Sequence, residues 1–299
     1  MKSVLATVAF TAALPFSFAA CVVVDSQGHI AREEKRFTVS GTPELHLTTF
    51  DGAIEIRSGD TKTIVVEIEK RGPTQEAIDQ LKIETKQDGN RIEIEVKKPA
   101  REVVFFGVGR MSPTARLIVT MPPEGNVVAK SGDGSIRIEH VHGHLQLHTG
   151  DGSIRGTDIG GQLTVATGDG SVTLDEVDGD VDVDSGDGGV SVSGKIGIAK
   201  LHTGDGSITF RAASGSSMKD DWSMTTGDGG VSLYLPPDFA AELDAHTGDG
   251  SIRNDLNVTA ESEGGDRDKE RRTLKGKIGA GGKTLRIRTG DGSIRLKTS

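Results

Sequence analysis

The sequence predicts an all-β fold: a single-domain β-solenoid (β-helix) with ~18-residue coils and irregular N-terminal strands capping the stack. Three observations lead there. The motif [Ser/Thr]-Gly-Asp-Gly-[Ser/Gly]-[Ile/Val] starts at Ser131, Thr149, Thr167, Ser185, Thr203, Thr226, Thr247 and Thr289, and its first four intervals are 18 residues each. Apolar residues alternate around it. With the Ser/Thr as zero, positions minus four and minus two read Leu145/Leu147, Leu163/Val165, Val181/Val183, Trp222/Met224 and Leu285/Ile287, and plus five is always Ile or Val. A period of two marks half-buried strands. Finally, Gly accounts for 41 of the 299 residues while aromatics make up only 4 %, which suits many tight turns and not packed helices.

Parity turns this pattern into a shape. Minus four, minus two and zero share one face, so the Thr points inward with the leucines. Plus five has the opposite parity, so the chain changes phase at Gly-Asp-Gly. The expectation is that the two glycines supply positive φ there and that Asp sits at the tip, bonding its own turn. A second corner falls near plus twelve, at Gly143, Gly161 and Gly179. At ~3.3 Å per residue such a coil has a perimeter of roughly 60 Å, and rungs stack about 4.8 Å apart. A fixed period with side-chain identity in register favours this stack over a sandwich of hairpins.

The chain before the array reads as follows. Lys2 and the apolar stretch Val4–Phe18 form a signal peptide over 1–20, too short to span a bilayer comfortably. It ends "SFAAC", and Cys21, the one cysteine of the chain, resembles the lipidated residue of a lipobox; the alternative is ordinary secretion with a free thiol. Residues 21–36 read as a polar tether. The domain proper spans 37–299, divided into 37–130 (irregular strands), 131–254 (regular coils), 255–283 (a charged insertion with "ESEGGDRDKERR") and 284–299 (the last coil). Within 37–130, "TFDGAI" at Thr49 is a degenerate corner, 74–82 a short helix or turn, Asp88-Gly89-Asn90 a hairpin turn, and "VVFFGVGR" (103–110) an apolar loop or edge.

Once these pieces are in place, residues 37–299 resemble the bacterial DUF4097 family of candidate adhesins. The resemblance rests on the "DGAIEI" opening, the "LIVTMPP" strand followed by "VVAKSGDGSI", the successive L-x-L-x-T-G-D-G-S-I coils and the closing "IGAGGKTLRIRTGDGSIRL". It implies an extracytoplasmic β-helical domain with an adhesive role, and it supplies no catalytic residues.

Candidate chemistry is sparse. The column Asp133, Asp151, Asp169, Asp187, Asp205, Asp228, Asp249 and Asp291 raises calcium as a cofactor, because stacked carboxylates repel unless a cation compensates. One Asp per coil, flanked by glycines, fits a turn tip better. His140, His142 and His144 alternate on one outward face and are weak candidates for a metal site, although Gly143 interrupts that strand. Ser135, Arg137, Arg155, Arg253 and Arg295 point outward; a solvated face is the expectation, and the arginines meeting the Asp column or an anionic polymer is the alternative. No nucleophile elbow, phosphate loop or metalloprotease helix is present. The net charge of -9 argues against a nucleic-acid partner. The expectation is a non-enzymatic protein of the cell envelope, exported and touching a membrane only through its lipid anchor. It would act as a surface or periplasmic interaction module on an envelope component or another protein. A self-assembling envelope scaffold is the alternative, and a carbohydrate-active β-helix enzyme ranks third.

Overall fold

A computed structural model describes residues 21–25, 28–59, 62–97, 112–260 and 272–299. The expected signal peptide, the 103–110 segment and much of the charged insertion lie outside the described residues. The chain opens with an antiparallel hairpin, β1 (Cys21–Asp25) and β2 (Gly28–Thr38). β3 (Glu44–Thr49) and β4 (Ile54–Ser58) flank the degenerate first corner. β5 (Thr63–Gly72) pairs antiparallel with β2. Thr74 then caps α1 (Gln75–Asp79), its side chain accepting the Ala77 N–H. The hairpin β6 (Lys82–Asp88) and β7 (Arg91–Lys97) turns at Gly89, with φ +58. After β8 (Thr114–Met121) and β9 (Asn126–Ser131) come four coil strands: β10 (Ile136–Thr149), β11 (Ile154–Thr167), β12 (Val172–Ser185) and β13 (Val190–Thr203). Shorter strands close the chain: β14 (Ile208–Ala212), β15 (Trp222–Thr226), β16 (Val231–Leu235), β17 (Ala241–Thr247), β18 (Ile252–Asn254), β19 (Val258–Ala260), β20 (Thr273–Ile278), β21 (Thr284–Thr289) and β22 (Ile294–Thr298). No helix among the described residues is long and apolar enough to cross a membrane.

The coils stack in parallel, identity on identity: Ile136 on Ile154, Leu145 on Leu163, Thr149 on Thr167. This is the predicted β-solenoid. Each corner divides its coil between two walls. The entry wall carries the strands that lead into Gly-Asp-Gly, in the order β6-β7-β3-β9-β10-β11-β12-β13-β15-β21-β17-β20-β19. The exit wall carries those that leave it, in the order β1-β2-β5-β8-β4-β10-β11-β12-β13-β14-β16-β22-β18. Between the walls lies one continuous core. Leu145, Leu147, Leu163, Val165, Val181 and Val183 are each 1 % exposed, and each contributes about 1.5–3 kcal/mol by leaving water.

Three expectations change. Residues 284–299 are not the end of the stack. β21 slots between β15 and β17, and β22 between β16 and β18, so the C-terminal coil is inserted one place before the end. The insertion is not loop throughout, because β20 runs antiparallel along β17 and β19 along β20. Residues 21–25 and 28–36, expected as tether, lie in β1 and β2. The charged residues of β2 meet opposite charges on β5, as in Arg32–Glu69 (2.8 Å) and Glu33–Lys70, so a polar run can be a paired strand.

Candidate interaction surfaces at the corners and on the outer walls

At the Gly-Asp-Gly corner the inward Ser/Thr is the fastener. Thr149 is fully buried. Its Oγ1 donates to the Gly134 carbonyl of the coil beneath at 2.9 Å and accepts the Gly152 N–H at 3.3 Å. Thr203 donates in the same way to Gly188 O at 2.8 Å, Thr226 to Gly206 O at 2.7 Å and Thr289 to Gly229 O at 2.8 Å. One hydroxyl per coil thus satisfies a buried acceptor of its neighbour, and at Thr149, Thr247 and Thr289 it also accepts a glycine N–H of its own corner.

The glycines serve a different need from the one expected. None of the Gly-Asp-Gly glycines has positive φ. A Cβ on Gly152 would instead stand 2.2 Å from Gly134 O, and one on Gly188 1.9 Å from Gly170 O. The corners are glycine because adjacent coils approach too closely for a side chain. The Asp residues of the column stand exposed at the tips, and the corners are held by the Ser/Thr hydroxyl together with backbone bonds between coils such as Gly186 N–H to Gly168 O at 2.8 Å.

Positive φ occurs at the second corner, on Gly143 (φ 148) and Gly161 (φ 96) and also on the non-glycine residues His140 (φ 56), Asp158 (φ 53) and Glu176 (φ 57), which stack one above another. His140 Nδ1 donates to Asp158 Oδ2 at 2.8 Å. That hydrogen bond, with the adjacent negative charge, raises the His140 pKa above its ordinary value, and the same bond lowers that of Asp158. His142 reaches Glu124 at 3.5 Å and Asp158 at 3.9 Å. His144 stays outside this contact, and its backbone N–H bonds to Asn126 Oδ1 at 3.1 Å. The structure thus gathers His140 and His142 about Asp158. Among the described residues, no group of three or more His, Cys, Asp and Glu is placed to hold a metal ion, and the Asp column forms no such group either.

On the outer walls the coils pair rung on rung, with register shifts only between β12 and β13 among these coil strands. On the exit wall one column runs Glu55, Arg137, Arg155, Thr173, Ser191, Thr209, Ser232, Arg295, Arg253. The next includes Arg211, Tyr234 and Lys297 on successive rungs. The Arg211 guanidinium carbon lies 3.7 Å from the Tyr234 ring centroid, and Lys297 Nζ lies 5.9 Å away. Sequence reasoning missed this group because it read the outward positions plus four and plus six. Position plus eight, counted from Thr203, Thr226 and Thr289, contains it. Trp222 is inward as expected: it is fully buried, its Nε1 donates to Gly197 O at 2.9 Å, and it packs on Phe210 and Phe239.

Comparison with known proteins places this architecture. Residues 43–297 match the family model described as Toastrack DUF4097. No curated protein matches the chain. Three solved structures resemble it. A provisionally named lipid binding protein from Parabacteroides distasonis is 15 % identical, with 89 % of this chain and 96 % of that one covered and a TM-score of 0.49. A provisionally named adhesin from Bacteroides fragilis is 14 % identical, with 89 % and 96 % covered and a TM-score of 0.48. A provisionally named cell adhesion protein from Clostridium sporogenes is 13 % identical, with 90 % and 100 % covered and a TM-score of 0.29.

Proposed function

The chain belongs to the Toastrack DUF4097 family, and from that premise we propose that it is a non-enzymatic interaction module of the cell envelope. The observation that carries this reading is the pair of long walls. Outward side chains from successive coils stand in register on a core that one hydroxyl per coil pins together, so the surface is rigid before any partner arrives, and ordering it on binding costs little. Lys2, the apolar run after it and Cys21 support export followed by lipid attachment. The stack ends count against the scaffold alternative. At one end the edge strand β6 exposes Lys82, Glu84 and Lys86, and at the other β19 and β20 close the entry wall with antiparallel pairing. Charged and antiparallel edges of this kind discourage strand-to-strand growth.

The test is saturable binding of the labelled full chain to isolated native envelope, competed by unlabelled chain, with light scattering on the same sample. Saturable, competed binding by a monomer is expected. Growth of particle size with concentration and no binding would favour the scaffold. Turnover of an envelope glycan would overturn the non-enzymatic reading. Release of the chain from membranes by Cys21→Ala tests the anchor.

A further inference from the structure

The charges of the exit wall are distributed unevenly. In its N-terminal half most of the arginines are paired, with the exposed Arg57 and Arg155 as exceptions. Arg116 pairs with Glu55, Arg137 with Glu139 at 2.7 Å, and Arg32 and Arg71 both with Glu69, at 2.8 and 2.6 Å. In its C-terminal part Arg211, Arg253, Arg295 and Lys297 are all exposed, and none makes an ion pair among the described residues. Asp255, whose N–H bonds to Leu296 O at 2.9 Å, is paired with none of them. Arg253 faces Arg295 directly across neighbouring strands, an arrangement that destabilises a sheet unless a counter-charge bridges it. All this occurs on a chain whose net charge is -9, so the patch runs against the overall balance.

We propose that this patch binds an acidic polysaccharide, a glycan chain bearing carboxylates at regular intervals. This deepens the reading of the chain as an envelope interaction module and rests on it. The guanidinium fork recognises a carboxylate bidentately. Stacking on Tyr234 holds Arg211 in place before the ligand arrives, so less freedom is lost on binding. Ser191, Thr209 and Ser232 continue the Arg253–Arg295 column on the next rungs and offer hydroxyls to sugar hydroxyls. At about 4.8 Å per rung the four cations span roughly 15 Å along the stack, a length suited to a few sugar residues lying across the strands. That narrow strip, with the uncharged rungs Ser232, Thr209, Ser191 and Thr173 beside it, fits a thin polymer and not a planar anionic membrane, whose attraction grows with the number of cations brought to the surface.

The experiment titrates the full chain with an oligogalacturonate, a neutral dextran of equal length and vesicles containing phosphatidylglycerol, followed by calorimetry at two salt concentrations. The expected result is binding to the oligogalacturonate that weakens as salt rises, with none to dextran and none to vesicles. The double variant Arg253→Gln/Arg295→Gln is expected to bind about tenfold or more weakly. Arg137→Gln, which removes a residue paired with Glu139, is expected to bind as the wild type does, and the double variant is expected to melt no lower than the wild type. Binding to vesicles in place of the oligogalacturonate, or an unchanged affinity in the double variant, overturns the proposal. If the wild type ignores the oligogalacturonate yet binds native envelope saturably, this inference fails while the proposed function stands. If it binds neither, both fail.

Discussion

The close approach of the coils makes a sharp prediction about two adjacent glycines. Gly188 and Gly189 sit in the same corner, and neither has positive φ. An added Cβ at 188 meets Gly170 O at 1.9 Å, whereas at 189 the nearest atom is Ser207 O at 3.6 Å. Gly188→Ala must therefore push a backbone carbonyl away by about 1.5 Å to reach ordinary contact distance. A shift of that size takes the surrounding bonds out of range. These are Gly186 N–H to Gly168 O at 2.8 Å, Val172 N–H to Gly189 O at 2.9 Å and Thr203 Oγ1 to Gly188 O at 2.8 Å. Two or three buried bonds at ~1–2 kcal/mol each put the cost at about 3–5 kcal/mol. Gly189→Ala meets no clash and restricts the unfolded chain, so it is expected within about 1 kcal/mol of wild type. Denaturant unfolding followed by circular dichroism, with slopes checked for equality, measures both. Equal midpoints for the two variants would refute the claim that coil spacing, and not backbone conformation, requires glycine at 188.

Two further outcomes follow from particular contacts. Trp222 is the one tryptophan and is fully buried between Phe210 and Phe239, with ring centroids at 5.2 and 5.1 Å. Trp222→Ala is expected to lose about 3–5 kcal/mol, while Trp222→Phe keeps the packing and loses about 1 kcal/mol with one of the two bonds to Gly197 O, which still accepts the Lys219 N–H at 2.9 Å; thermal melts read by circular dichroism separate them. His140, whose pKa is raised by its hydrogen bond to Asp158, is expected to titrate above its ordinary value in an NMR pH series, and Asp158→Asn is expected to return it towards that value. The sign follows from linkage. The raised His140 pKa contributes stability that is complete below about 6.5 and fades as pH rises through the folded value. The lowered Asp158 pKa contributes stability present above about 3.9 that fades as pH falls through its folded value. A His140 titration unmoved by Asp158→Asn would remove the dyad from the account.

Much of the fold was legible because the coil repeats. Eighteen-residue spacing and two-residue parity placed Thr149 and Trp222 inward, and both are buried. Less was legible where two physical causes leave the same residue behind. Glycine at a corner can mean positive φ or a lack of room, and the identity of Gly188 does not distinguish them; its distance to Gly170 O does. The interval of 42 between Thr247 and Thr289 reads as a coil plus an insertion, and nothing in that number tells which rung the last coil occupies. Strand β2 was obscured because its charges satisfy partners on β5, distant in sequence. The cation group around Tyr234 was present in the motif count but depends on which rungs are neighbours, and Arg253 meets Arg295 only because β22 precedes β18 in the stack.

That displaced coil governs the order in which the molecule can be completed. A chain delivered from its N-terminus onward can add one rung to the previous rung as far as β15 and β16. The next residues to emerge, 241–254, have no seat, because the strands they lie against are β21 and β22, made last. They must wait, with the inward face of β17 open to solvent, until residues 284–298 have been made. Closure is therefore a single late event that joins three segments of chain, and its rate is set by loop closure across the insertion. Until then the unfinished end presents unpaired strands to any chaperone or protease nearby; afterwards the C-terminus is held between two rungs and cannot peel away on its own.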